Sequence, residues 1–141
     1  LPDFDDIEAE DAAMLHVRDF PDVHAALAFL VDWPRLDAAA ALILSREAEL
    51  DGDHYEVLTK AASKLDAKYP LSATVALRKM IDFALDRARS TRYRHAARHL
   101  ADCAALAKRI DDFGALAPHD AYVAALKSAH GRKSGFWSLV E

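Results

Sequence analysis

Hydrophobic positions recur every three or four residues along most of this chain, and the densest such pattern runs from Tyr69 to Asp112. Within it, Tyr93, Ala96, Ala97, Leu100, Cys103, Ala104, Ala107 and Ile110 form one apolar stripe, as a 3.6-residue period requires. Arg94, Arg98, Asp102, Lys108 and Arg109 fall off that stripe. In the segment before it, Ala73, Leu77, Met80, Ile81, Ala84, Leu85 and Ala88 make a core face. Leu71, Val75 and Phe83 carry apolar surface further around the girth, so this helix should touch neighbours on more than one side. The pattern predicts two long helices, Leu71–Arg89 and Thr91–Asp111, meeting at an arginine-rich corner.

Shorter helices of the same kind are predicted on either side. They cover about residues 6–18, then Pro21–Asp32 and Arg35–Leu50. The next runs to Tyr69 from Asp53, which has the position of an N-cap with Glu56 three residues on, an acidic form of the capping box. After the long pair come Pro118–His130 and a last turn, Gly135–Val140, capped by Ser134 and bringing Phe136 and Trp137 to the core. Pro21, Pro34, Pro70 and Pro118 each stand before an apolar run, as first-turn prolines do. Gly52, Gly114 and Gly131 each follow one. Helix pairs begin near residues 21, 53 and 91, spacings close to those of two-helix repeats. The Trp-Leu-Gly-Tyr pattern of tetratricopeptide repeats is absent. The expected fold is all-α: antiparallel helical hairpins stacked as a short solenoid-like (TPR- or HEAT-like) array, or an irregular helical bundle. Residues 1–141 should form a single domain, and the start at Leu1 suggests the C-terminal fragment of a longer protein.

Composition agrees with helix. There are 30 Ala and 18 Leu against 7 Val, 4 Ile and 3 Thr, a balance that favours helix over strand. Charge adds an asymmetry that the net value of −5 conceals. Residues 1–70 hold 6 Lys/Arg and 16 Asp/Glu, whereas residues 71–141 hold 12 and 7. Acidic and basic halves can attract each other within the fold, between copies, or toward partners. The lone Cys103 excludes an internal disulfide and fits a reducing compartment. No apolar run is long enough for a membrane span, and no signal peptide is visible. A cytoplasmic location is expected.

Candidate chemistry concentrates in the corner, Arg87–His99. Arg87, Arg89, Arg92, Arg94 and Arg98 stand there with Tyr93, His95 and His99 between them and no acid from 87 to 101. Guanidinium groups grip phosphates and carboxylates bidentately, and the start of the second long helix would add free N–H donors. The competing reading pairs these arginines with the acidic half. His95 and His99, four apart with Asp102 and Cys103 one turn on, are the weak metal candidates. The acidic run Glu47, Glu49, Asp51, Asp53, Glu56 lacks the ligand order of a calcium loop. Gly131-Arg132-Lys133-Ser134-Gly135 has the wrong order for a phosphate loop and follows no strand. His119, His130, Arg132 and Lys133 make a second basic cluster, read as packing around the cap.

Two stretches carry a family resemblance. One is Tyr69-Pro70-Leu71-Ser72-Ala73-Thr74 leading to Arg89-Ser90-Thr91-Arg92-Tyr93-Arg94-His95-Ala96-Ala97-Arg98. The other is His119-Asp120-Ala121-Tyr122 leading to His130-Gly131-Arg132-Lys133-Ser134-Gly135-Phe136-Trp137. They resemble the C-terminal region of an uncharacterised bacterial family of all-helical proteins, with a similar tail in some proteins carrying SWIM-type zinc fingers. The resemblance is concentrated in residues 69–141. It implies an intracellular helical-repeat tail and supplies no activity, cofactor or catalytic residue. The zinc-finger cysteines are missing, so no zinc role carries over. The functional expectation is a non-enzymatic helical-repeat module that binds a protein partner. The alternatives are nucleic acid or another polyanion bound by the corner, and a small metal site or enzyme.

Overall fold

The computed structural model describes residues 16, 17 and 19–140, so the helix expected over residues 6–18 lies almost wholly outside the described residues. Among them the chain is all-helical, with no strand. Seven α-helices follow in order: α1 Val23–Asp32, α2 Leu36–Ser45, α3 Tyr55–Leu65, α4 Pro70–Asp86, α5 Tyr93–Ala107, α6 His119–His130 and α7 Ser134–Trp137. Two single 3₁₀ turns, Glu47–Glu49 and Ser90–Arg92, sit before α3 and α5.

The helix ends follow local chemistry that periodicity only partly exposes. Asp22 caps α1, its carboxylate accepting from the N–H groups of His24 and Ala25 at 3.1 Å each, so Pro21 lies outside the helix. Pro70 does open α4, where its missing N–H costs nothing. Pro118 is one residue too early and serves as the N-cap of α6. The predicted Arg35–Leu50 helix breaks after Ser45 and finishes as the 3₁₀ turn. Asp53 is not the cap of α3. His54 holds that position without a side-chain bond, because the Asp53 carboxylate is taken by Arg92 at 2.8 Å. Ser134 likewise makes no cap and is the first residue of α7.

α4 is the hub. Eleven of its seventeen residues are buried, as its wide apolar girth predicts, and it packs against α2, α3 and α5. Ser72 ties it to α2 through a buried hydroxyl bond to the Ala40 carbonyl at 3.0 Å. Gly52, just before α3, is pressed onto α4. A Cβ there would lie 2.0 Å from the Lys79 carbonyl oxygen. α4 ends at Asp86, not Arg89, in a left-handed reversal: Arg89 N–H donates to Ala84 O at 2.8 Å and Ala88 N–H to Leu85 O at 3.2 Å. That pair of bonds is the Schellman arrangement, with Ala88 at φ 49° in the place glycine usually fills.

The C-terminal third closes one side. Phe136 is fully buried and meets Tyr93 edge-on, at 6.0 Å between centroids. Trp137 packs against the core from its edge, half-buried beside the Phe136 ring at 4.9 Å between centroids, and its indole N–H reaches back to the His130 carbonyl at 2.9 Å. α6 buries only Leu126 and is fastened mainly by polar contacts to α4, Tyr122 to Asp82 at 2.6 Å and His130 to Asp86 at 3.0 Å.

Candidate functional site

Each short connection reverses the chain, so α3 runs against α4 and α5 runs against α4 in turn. α3 and α5 therefore point the same way over one side of α4. Two arginines fix their ends. At the N-terminal end Arg92 pairs with Asp53. At the C-terminal end Arg109 donates to the Asp66 carbonyl at 2.6 Å and the Ala67 carbonyl at 3.2 Å. Between these two straps α3 and α5 stand apart, leaving a groove of about 1180 Å³ floored by Leu77 and Met80 of α4. Small side chains line its lower walls, among them Thr59, Ala62 and Ser63 on α3 and Ala96 on α5.

The arginine corner forms one end of this groove, and its residues have different fates. Arg92 is built into the fold. Its guanidinium lies 5.1 Å from the Tyr55 and Phe83 ring centroids, a stacked placement that suits a planar cation. Arg87, Arg89, Arg94 and Arg98 are exposed, with no ion pair among the described residues. Arg87 rests near the Phe83 ring at 5.7 Å, and Arg98 lines the groove. Nearby Lys79 is committed to Glu47 at 2.8 Å. The acidic half thus takes Arg92, Lys79 and Arg109 and leaves the other corner arginines free. Glu47 and Asp53 spend their carboxylates on these pairs and Glu49 on Arg46 at 2.7 Å.

His95 and His99 both face the groove. Burial holds the His99 imidazole below its ordinary range; Asp102 opposes this, while His95 and Arg98 add to it. Among the described residues no three His, Cys, Asp or Glu side chains gather as a metal would need. Cys103 lies under the core, its thiol pushed up to about 12 by burial, which makes it a poor nucleophile. In the second basic cluster His130 and Lys133 are fastening: Lys133 Nζ and His130 Nδ1 are 3.0 Å apart, and His130 holds Asp86.

Sequence reading missed one group. Arg78 and Asp82 fall on what looks like the polar face of α4, yet Arg78 is 6% exposed. α6 covers it, with the Tyr122 ring centroid 4.4 Å from the guanidinium. Its Nε and Nη2 are buried without a partner. Burial pushes the Asp82 carboxyl up, against the Tyr122 hydroxyl bond that lowers it. Nothing local to α4 announces that Tyr122, from a distant helix, roofs Arg78.

The fold and groove define an all-helical bundle with one long cleft beside a basic corner. The chain matches the model of DUF6880, a family of unknown function, over residues 1–139, and it belongs to that family. The match takes in the first half, where the resemblance of residues 69–141 did not reach. No curated protein and no solved structure matches the chain. No helix among the described residues is long and apolar enough to cross a membrane.

Proposed function

We propose that this chain is a non-enzymatic interaction module of a bacterial, cytoplasmic protein, and that the cleft between α3 and α5 receives a helical segment of a protein partner. The observation that carries this is the groove itself: two helices held apart by arginine straps over an apolar floor. α1 packs on α3 and α2 on α4, whereas α3 and α5 are held apart, so the space between them is a break in that packing. Helices laid in apolar grooves are a recurrent recognition mode.

A photo-crosslinking residue at Ser63, on the groove wall, tests it in the native cell against the same residue at Lys127 on α6. A discrete adduct is expected from Ser63 and not from Lys127, and Thr59→Trp, which fills the groove from an exposed wall position, should suppress it. Equal labelling at both positions, or indifference to Thr59→Trp, refutes the reading. A second reading, polyanion binding, is favoured by the free state of Arg87, Arg89, Arg94 and Arg98. It requires steeply salt-dependent oligonucleotide binding, because phosphate contacts release counterions. Absence of binding at low salt removes it.

A further inference from the structure

Arg78 does not line the groove between α3 and α5. It lies under α6, 6% exposed, and its Nε and Nη2 are buried without a partner. Those two nitrogens form the side-on fork of a guanidinium, which matches the two oxygens of one carboxylate. Two other arginines of the chain use the same fork in that way. Arg46 holds Glu49 through Nε at 2.8 Å and Nη2 at 2.7 Å. Arg35 holds Asp37 through Nε at 3.2 Å and Nη2 at 3.3 Å. Asp82, four residues along α4, has the spacing of an ion-pair partner for Arg78, yet its carboxylate accepts from the Tyr122 hydroxyl at 2.6 Å. A buried charged group with unmade hydrogen bonds is costly, so a ligand that completes the fork is favoured.

His119 adds a second unmet group. Its Nδ1 is buried without a partner, and the Arg78 charge acts on its ring. The Tyr122 and Phe113 ring centroids lie 4.4 and 5.9 Å from the guanidinium carbon, so a small apolar group beside the carboxylate would meet aromatic surface. Phe113 belongs to the connection 108–118, in which no residue is buried, and α6 beyond it buries Leu126 alone. This cover is lightly held, and the fork is reached only when it lifts. Charge selects among anions. Around Asp82 stand Asp86, Lys79 and Arg78, and Lys79 is itself paired with Glu47. With no surplus positive charge, the site offers directional donors, which suit a singly charged carboxylate better than a phosphate dianion.

We propose that Arg78 anchors a carboxylate-binding site beneath α6 and the 108–118 connection, entered when that cover lifts, with the Nε/Nη2 fork holding both oxygens and His119 beside them. The site is separate from the groove and stands independently of the groove's function.

The test is nuclear magnetic resonance of the full chain, following the Arg78 Nε–H signal and the amides of residues 113–122 as acetate is added at constant ionic strength. These signals should move together and saturate, and phosphate at the same ionic strength should move them far less. A blocked Ala-Glu-Ala peptide is the second probe. Response to acetate alone marks a free acid as the ligand, and response to the peptide marks a protein side chain. Arg78→Met should weaken binding roughly tenfold or more, the worth of hydrogen bonds to a charged group. His130→Ala releases the bond to Asp86 and loosens the cover. It should tighten binding roughly twofold or more, because apparent affinity follows the population of the open form. No saturable shift with either probe, equal binding by Arg78→Met, a phosphate response equal to that of acetate, or weaker binding by His130→Ala overturns the proposal.

Discussion

Replacing Ala88 by glycine should stabilise this protein, although glycine usually weakens a helical chain. Ala88 sits at φ 49°, where an L residue crowds its Cβ against the following carbonyl. That conformation costs about 1–2 kcal/mol per residue relative to the right-handed one. Glycine escapes the clash but loses more backbone freedom on folding, at a cost of about 0.4–1 kcal/mol. The difference leaves a net gain of about 0.5–1 kcal/mol. The two reversal bonds, Arg89 N–H to Ala84 O and Ala88 N–H to Leu85 O, involve backbone alone and survive the change. No side-chain packing is lost, because Ala88 is exposed. Urea unfolding should show a higher midpoint at unchanged slope, and the melting temperature should rise by about 2–4 °C. A drop in stability of 0.5 kcal/mol or more, at about the limit of a neutral surface change, would refute the left-handed assignment. It would also mean that the corner's arginines leave α4 along another path.

Gly52→Ala should destabilise by about 1–3 kcal/mol, the cost of overpacking, since its Cβ would meet the Lys79 carbonyl oxygen at 2.0 Å; an unchanged urea midpoint contradicts that contact. Phe136→Ala should cost about 3–5 kcal/mol, and Leu100→Ala about 2–4 kcal/mol, both read by chemical denaturation; a near-neutral Phe136→Ala would mean that α7 is not seated on Tyr93. Arg78→Met should lie within about 1 kcal/mol of the parent, because it removes buried donors that have no partner, while Tyr122→Phe should cost about 1.5–3 kcal/mol through its bond to the Asp82 carboxylate; the reverse ranking contradicts the arrangement beneath α6. His24, His99 and His119 are all held below the ordinary value of 6.5, by burial first. Between the folded and unfolded values the unfolded chain binds more protons, so stability is fully present above about pH 6.5 and is lost as pH falls below it. The urea midpoint should therefore drop between pH 7.5 and 5.5, and His24→Gln should flatten the slope by keeping an acceptor for the Asp51 N–H; an unchanged or higher midpoint at pH 5.5 contradicts the shifts.

The helices were legible because their signal is local. The stripe from Tyr93 to Cys103 became a buried helix face, and that of α4 did so as far as Leu85, with Ala88 exposed beyond it, while α6 buries Leu126 alone; the unusual girth of the α4 segment marked it as the element with most neighbours. Helix ends were less legible because distant residues decide several of them. Asp53 reads as a cap until Arg92, thirty-nine positions away, takes its carboxylate. α4 reads as continuing to Arg89 because no glycine or asparagine marks the reversal that Ala88 makes. Trp137 reads as core because it is large and apolar, and it does pack on the core, but its indole N–H needs an acceptor and stays half-buried to reach the His130 carbonyl.

The site was half legible for the same reason. Five arginines without an intervening acid announce a basic corner in the sequence, but their density does not say which are available. That depends on pairings over long separations. Arg92 and Arg109 are spent holding α3 and α5 at a fixed distance, and Arg78 is spent under Tyr122. Arg94 is exposed away from the groove, and Arg98 is exposed on its wall. The straps and the exposed arginines are therefore parts of one arrangement. Residues that pair internally set the spacing of α3 and α5, and of the exposed arginines only Arg98 lines the groove between them. A charge-reversing change at Arg92 would disturb the groove's shape before its electrostatics, whereas the same change at Arg94 acts on electrostatics alone. Two arginines one helical turn apart or less thus divide the corner between a residue that sets the groove's shape and a residue that adds only charge.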